Sequence, residues 1–357
     1  MKVLLLAADQ GGCAKYRVRE PHRVTQGLVD VEVTNYLPVE AVKDTRTGLT
    51  NVREVHTDAD LIVFQRPLDN AMSSALVQAK KQGIAVAVEM DDDLAATHRQ
   101  NMAYDYFHGH LDTGIQWLWR ATQNADFIIA STPALLDRYA PNGNGAVIRN
   151  CVPESIFDIT PRYERSDETS MIGWTGSVAS HPTDLLVTKG AVAEAITSRI
   201  SEGRQLAMAV VGEMDRVYDH LQMPDSVPSY CPGWLSLDDY YEGIASSMDV
   251  GIVPLELNIF NKSKSYLKGL EMAALGVPFV ASNTYEYEVF ESYGIGQTAA
   301  NPSDWRRKLG RLLDNRTKTV SLAKDYRDKI REEYTYEHNA DRWVKAWESA
   351  IKARKSN

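Results

Sequence analysis

Lys264, Lys268 and Glu271 are the residues of this 357-residue chain whose types and spacing point most directly to chemistry. They follow the apolar run GIVPL, in the segment FNKSKSYLKGLEMAALGVPFVAS from Phe260 to Ser282. The spacing predicts a helix from about Ser263 to Leu275, ended by Gly276 and Pro278. Tyr266, Leu270, Ala273 and Ala274 would form its apolar stripe. Lys264, Lys268 and Glu271, at i, i+4 and i+7, would share another face. Lys264 would fall in the first turn, where a cation opposes the helix dipole. A bound anion removes that conflict, because a helix N-terminus and a lysine together make a phosphate site. Glu271 would stand roughly 10 Å further along the axis, at about 1.5 Å per residue. There a carboxylate can accept hydrogen bonds from the hydroxyls of a ribose. One helix could thus hold a nucleoside diphosphate by its phosphates and its sugar. A solvated Lys-Lys-Glu face on an ordinary surface helix has the same pattern and stays open as the alternative.

Other candidates sit where a strand-like run ends. In IGWTGSVASHPTDL, Thr175, Gly176 and Ser177 make a tight turn whose small residues let backbone amides approach a phosphate. His181 and Asp184 follow. His181 is a candidate catalytic group or a loop residue with a structural bond, and Asp184 can begin a helix. Asp91, Asp92 and Asp93 close the run AVAVEM. Three adjacent carboxylates repel one another, which points to a role. One can cap the next helix, a role that fits Asp93. Two can bind a divalent cation, or one can orient or deprotonate an acceptor hydroxyl. A mixture of capping and acceptor or sugar contact is the preferred reading, with no metal. Asp9-Gln10-Gly11-Gly12 after the first run is not a dinucleotide fingerprint. Arg17, in the helix behind it, can reach a phosphate or form a solvated basic turn. Gln65-Arg66, His108 and His110 are further candidates for the acceptor side. Ser131, Thr132 and Asn150 read as structural.

The segment Phe260–Ser282 resembles the donor-binding helix of retaining GT-B glycosyltransferases, particularly the branch with an F-N-x-x-K-S-x-x-K-x-x-E-like signature. Phe260, Asn261, Lys264, Ser265, Lys268 and Glu271 match it, as does the run from Ala273 to Ser282. The resemblance implies that Glu271 binds the donor ribose and that the lysine near the helix start contacts phosphate. Many members carry a second Glu eight positions earlier; here that position is Ser263, which lacks the carboxylate that usually touches the donor sugar. The loop Gly176–Leu185 is similar to a G-S-x-x-x-H-x-x-D-L pattern of the same family. Gly233-Trp234, followed by Asp239-Tyr240-Tyr241, resembles a stretch beside the nucleotide base. The resemblance also places Gly11 and Gly12 near the donor phosphates. Its implied activity is transfer of a sugar, with retention and without metal, from a nucleotide diphosphate sugar to an acceptor hydroxyl. That donor is a co-substrate, and no cofactor is implied. A glycan, a lipid-linked saccharide, a protein side chain or a modified nucleobase all fit as acceptor. A nucleotide-sugar epimerase of the same fold and a degenerate nucleotide-binding module are the competing readings.

The elements that must position these residues alternate. Short apolar runs are expected as strands at Val3–Ala7, Val31–Thr34, Leu61–Phe64, Ala85–Glu89, Phe127–Ala130 and Ala146–Arg149. They restart at Ser170–Trp174, Leu206–Val211, Val250–Val253 and Pro278–Ala281. Apolar strands alternating with helices predict an α/β chain with parallel sheets. The polar stretch Thr160–Thr169 is the expected linker. Residues 1–160 would form an acceptor-side Rossmann-like domain and 161–335 the donor domain, facing each other across a cleft. Residues 336–357 would form a helix crossing back to the first domain, with Trp343 and Trp347 on one face. At 44% hydrophobic residues the chain can build two such cores. Its net charge of -9 gives no basic footprint for nucleic acid. Cys13, Cys151 and Cys231 are widely spaced and odd in number, which points to a reduced, cytoplasmic compartment. MKVLLLAADQGG reads as a first strand rather than a leader. No apolar stretch is long enough to span a bilayer, so membrane contact would be peripheral.

Overall fold

The computed structural model describes residues 1–109, 114–140, 142–164 and 169–356. His110 and part of the expected linker lie outside them. Two six-stranded parallel sheets carry the chain. The first runs β2-β1-β5-β6-β7-β8, built from β1 (Lys2–Leu6), β2 (Asp30–Thr34), β5 (Leu61–Gln65), β6 (Ala85–Met90), β7 (Phe127–Ala130) and β8 (Gly145–Val147). The second runs β11-β10-β9-β12-β13-β14, built from β9 (Ser170–Gly176), β10 (Leu206–Gly212), β11 (Ser229–Gly233), β12 (Val250–Val253), β13 (Phe279–Ser282) and β14 (Gln297–Ala299). Every strand expected from the sequence is present. β11 and β14, the two edges of the second sheet, were not expected. Pro232 lies within β11, and proline is tolerated there because an edge strand leaves one row of donors unpaired. Also unexpected is an antiparallel hairpin of β3 (Val39–Lys43) and β4 (Thr50–Val55), packed on the helix Asn70–Lys81. Its exposed, charged residues hide the alternation that marks a strand.

β5 and β6 are buried along their whole length, because helices cover both faces of the first sheet. One face packs on helices Asn70–Lys81, Ile115–Asn124 and Pro133–Tyr139 through Leu76, Leu118 and Leu135. The other packs on Ala14 and Val18 near the start of the chain and on Trp343, Ala346, Trp347 and Ala350 of the last helix, Tyr336–Ser356. Both tryptophans are 1% exposed. A buried indole removes on the order of 200 Å² from water, worth roughly 5 kcal/mol at about 25 cal/mol per Å².

The chain passes between the two sheets at Asn150–Val152, earlier than the expected boundary at 160. Cys151, Val152, Ile156 and Phe157 already belong to the second core. The return crossing lies beside the outward one. Val152 N donates to Tyr334 O at 3.0 Å, and Tyr336 N donates to Val152 O at 3.0 Å. Within the expected linker, Arg162 is buried and fixed to Asp249 at 3.0 Å.

Candidate active site

A cleft of about 490 Å³ opens beyond the carboxyl ends of the strands, where parallel sheets place their ligands. Gly12, Cys13, Lys15, Tyr16, Asp91 and Asp92 form its first-domain wall. The opposite wall holds Gly176, Ser177, His181, Lys264, Lys268 and Glu271. Trp234, Leu235, Leu237 and Tyr240 give it an apolar end.

The second-domain floor depends on two glycines. Gly176 and Gly212 are neighbours in register where β9 and β10 end, at φ +133 and +136. A Cβ on Gly212 would stand 2.2 Å from Gly176 O, and one on Gly176 would stand 3.2 Å from Lys268 Nζ. Both positions therefore need glycine for their conformation and for the close approach of the backbone.

The predicted donor helix is shorter than the sequence suggested. It spans Leu267–Ala274, after a separate turn Ile259–Lys262. The intervening residues are held out of the helix by the first domain. Thr132 Oγ donates to Ser263 O at 2.9 Å, and Asn150 Nδ2 donates to Ser265 Oγ at 2.9 Å. Lys264 therefore precedes the helix, and Lys268 occupies its first turn. Both ammonium groups still line the cleft, as do Ser265 and Glu271.

The charges of this wall are unequal. Lys264 Nζ lies 3.1 Å from Asp92 Oδ1, an ion pair across the cleft. Burial alone would raise the Asp92 carboxyl; the Lys264 ammonium more than offsets this and holds it below its ordinary range. Among the described residues, the hydrogen-bond partners of Lys268 are uncharged: Thr175 O at 2.9 Å and His181 Nε2 at 3.3 Å. Burial, then the nearby Lys264, push its ammonium down to about 8. Burial, then Lys268, push His181 down to about 4, so its imidazole is neutral at pH 7. Its Nδ1 faces Asp184 Oδ2 at 2.8 Å, and a carboxylate can only accept. The proton therefore sits on Nδ1, and Nε2 accepts from Lys268. Asp184 is fixed in turn by Glu256 N at 2.9 Å and Asn261 Nδ2 at 2.7 Å.

Glu271 is 3% exposed. Burial raises its carboxyl to about 7, against hydrogen bonding from Tyr16 and the charge of Lys268. Tyr16 Oη donates to Oε1, and Tyr240 Oη lies 3.4 Å from Oε2. Tyr16 comes from a π-helical turn, Lys15–Arg19, behind the Gly11-Gly12 loop. Such turns recur at functional sites. This one sends Lys15 to Leu237 O at 3.1 Å, Tyr16 to Glu271, and Arg17 the other way.

Three expectations are corrected by these contacts. Arg17 does not reach toward phosphate; it is buried, bonded to Glu89 Oε1 at 2.5 Å, Ile148 O at 2.7 Å and Asn150 Oδ1 at 2.9 Å. Asp93 faces away from the cleft and accepts from Arg138 and from Tyr139 at 2.8 Å. It occupies the N-cap position of the short 3₁₀ turn Leu94–Ala96, with its carboxylate turned mainly to Arg138 and Tyr139. Asn261 is buried beneath the cleft and supports Asp184 rather than lining the wall. The aspartate triplet thus diverges, with Asp91 near Asn150 at 3.2 Å, Asp92 on Lys264 and Asp93 on Arg138. Gly11 leads into the cleft, its amide bonded to Asp9 Oδ1 at 2.7 Å. Trp234 stands at the mouth, 68% exposed. His108 is exposed and stacked on Tyr104. Gln65 is buried, and Arg66 pairs with Asp9. Lys15 and Tyr16 were not singled out from the sequence as donor contacts, and Tyr240 entered only with the stretch that resembles one beside the nucleotide base. Their only signal was position: the first turn after β1, and the aromatic pair after Trp234.

Residues 193–345 match a family model described as glycosyl transferase-like. The structure is similar to the sucrose-phosphate synthase of Thermosynechococcus elongatus, at TM-score 0.61 and 14% identity over 99% of this chain and 100% of that one. This is a GT-B fold, and the glycosyl transferase-like match covers residues 193–345 of it. The GT-B chain is also similar to Anabaena HepE in complex with UDP and glucose, at TM-score 0.56 and 13% identity over the whole of both chains. A pneumococcal O-GlcNAc transferase, GtfA, in complex with UDP and GlcNAc gives TM-score 0.53 at 13% identity, over 82% of this chain and 57% of that one. At these identities the likeness is one of fold. No curated protein matches the sequence. No helix among the described residues is long and apolar enough to cross a membrane.

Proposed function

We propose that this GT-B chain transfers a sugar from a nucleotide diphosphate sugar to an acceptor hydroxyl. The observation that carries this reading is Lys268: a half-buried ammonium at the cleft floor, bonded among the described residues to a carbonyl and a neutral imidazole. A partly desolvated cation with no carboxylate in hydrogen-bond contact is costly. A diphosphate would supply the missing charge. In the reaction, Lys264, Lys268 and the Gly176-Ser177 turn stabilise the charge that develops on the departing diphosphate. Glu271 accepts from the ribose, and the apolar end with Trp234 receives the base. The transferred sugar then faces Gly12, Asp91, Asp92 and His181. Two lysines supply the positive charge on their own, which favours transfer without metal; donor binding in excess chelator checks this. Retention rests on the resemblance, and the anomer formed in a single turnover, read by NMR, decides it. The three unpaired cysteines suit a reducing, cytoplasmic setting. A glycan, a lipid-linked saccharide, a protein side chain or a modified nucleobase remains the acceptor to be found.

A second reading is favoured by one observation. Ser263 is buried, with its hydroxyl near Ile259 O at 3.5 Å, so nothing at that position reaches a donor sugar. A nucleotide-binding module without turnover would tolerate this. Thermal-shift screening against UDP, GDP, ADP, CMP and their sugar conjugates tests the donor site, repeated with Lys264→Ala and Glu271→Ala. A rise in midpoint with one nucleoside diphosphate, lost in both variants, supports it. No rise with any of them overturns it. Binding of the sugar conjugate without sugar release under any acceptor favours the module.

A further inference from the structure

Two of the groups that would read a nucleotide, Glu271 and Lys264, already have partners from the opposite domain. Glu271 Oε1 holds Tyr16 Oη, where a ribose hydroxyl would donate. Lys264 Nζ holds Asp92 at 3.1 Å, where a phosphate oxygen would sit. Other bonds close the same seam. Lys15 donates to Leu237 O at 3.1 Å, Asn101 Nδ2 to Ser180 O at 2.7 Å, and Met102 N to Ala179 O at 3.0 Å. We propose that Tyr16 and Asp92 are built-in stand-ins for the donor's ribose hydroxyl and phosphate, and that donor binding displaces them and frees Asp92 for the acceptor. This rests on the donor-site reading above. Displacing Tyr16 leaves no orphan, because its hydroxyl keeps Tyr241 Oη at 2.8 Å as a second partner. Displacing Asp92 leaves a carboxylate at the cleft surface with its ion-pair partner removed, free to accept an acceptor hydroxyl. Donor must then bind before acceptor. A competing contact of this kind is a coupling free energy, and such couplings span about 5- to 150-fold in affinity.

The experiment is titration calorimetry at pH 7.5 with UDP, uridine and inorganic pyrophosphate, on the wild type, Tyr16→Phe and Asp92→Asn. Circular dichroism first confirms that the variants are folded. Tyr16→Phe is expected to tighten UDP and uridine roughly tenfold and to leave pyrophosphate unchanged. Asp92→Asn is expected to tighten UDP and pyrophosphate by a similar factor and to leave uridine unchanged. If the wild type binds UDP and the variants bind it equally or more weakly, the stand-in proposal fails and the donor site stands. A gain without the crossed pattern overturns the assignment of Tyr16 to ribose and Asp92 to phosphate. If no protein binds UDP, GDP or ADP, the donor-site reading fails, and this proposal with it.

Discussion

Nucleotide affinity should follow a bell-shaped pH profile set by Lys268 and Glu271. Lys268 must carry its proton to hold a phosphate. Its ammonium titrates at about 8 in the empty cleft, against an ordinary value of 10.5. A bound diphosphate supplies the counter-charge and returns it toward that value. Binding is then coupled to proton uptake, and affinity falls as pH rises above 8. One pH unit is a factor of ten, so the loss from pH 7 to pH 9 is about tenfold. The span from 8 to 10.5 caps the whole effect at roughly 300-fold. Glu271 sets the other limb. Its carboxyl titrates at about 7, and it must be ionised to accept from two ribose hydroxyls. Affinity therefore rises through pH 7, by about tenfold from pH 6 to pH 8. The optimum lies between the two values. Calorimetry with UDP from pH 6 to pH 9 measures the profile, with uridine as the control for the terminal phosphate, which itself titrates at about pH 6. Lys268→Arg, whose guanidinium does not titrate there, should flatten the alkaline limb. Glu271→Gln should flatten the acid limb. A wild type whose affinity is level across this range refutes the reasoning, as does either limb surviving its variant.

Arg17→Ala removes one partner of a fully buried ion pair and leaves Glu89 uncompensated; the expected cost is about 3–5 kcal/mol in urea denaturation. Glu271→Gln should do the reverse at pH 8. It removes a buried charge, so the unliganded protein should gain on the order of 1–3 kcal/mol, a rise of a few degrees in Tm, while binding UDP more weakly than the wild type at that pH. Trp234→Ala should leave Tm within about a degree, because the side chain is mostly exposed, yet weaken UDP about tenfold in calorimetry.

The central strands were legible because each is apolar on both faces, and nothing but a helix-covered parallel sheet buries such runs. The edge elements β3, β4, β11 and β14 were not, because their residues answer to solvent or to a turn rather than to a core. Within the cleft, Lys264, Lys268 and Glu271 could be read from spacing, since the wall they share is local in sequence. The end of the helix at Leu267 could not, because the contacts that unwind Ser263–Tyr266 come from Thr132 and Asn150, far away in the chain. Arg17 failed for the same reason: its partners Glu89, Ile148 and Asn150 meet only in the folded first domain. Tyr16 gave no signal beyond its position, because its meaning depends on which residue faces it across the cleft.

The last helix gives the chain an order of assembly. Trp343 and Trp347 complete the first domain's core, yet they are made after the whole second domain. At about 5–20 residues per second, a translating ribosome needs roughly 10–40 s to go from the first crossing to this helix. For that interval one face of the first sheet, with Leu61, Val63, Phe127 and Ile129, lacks the cover of the last helix. The first domain is therefore the last to mature, although it is the first to be synthesised. A circular permutant that carries Tyr336–Ser356 ahead of Met1 would let it close before the second domain begins.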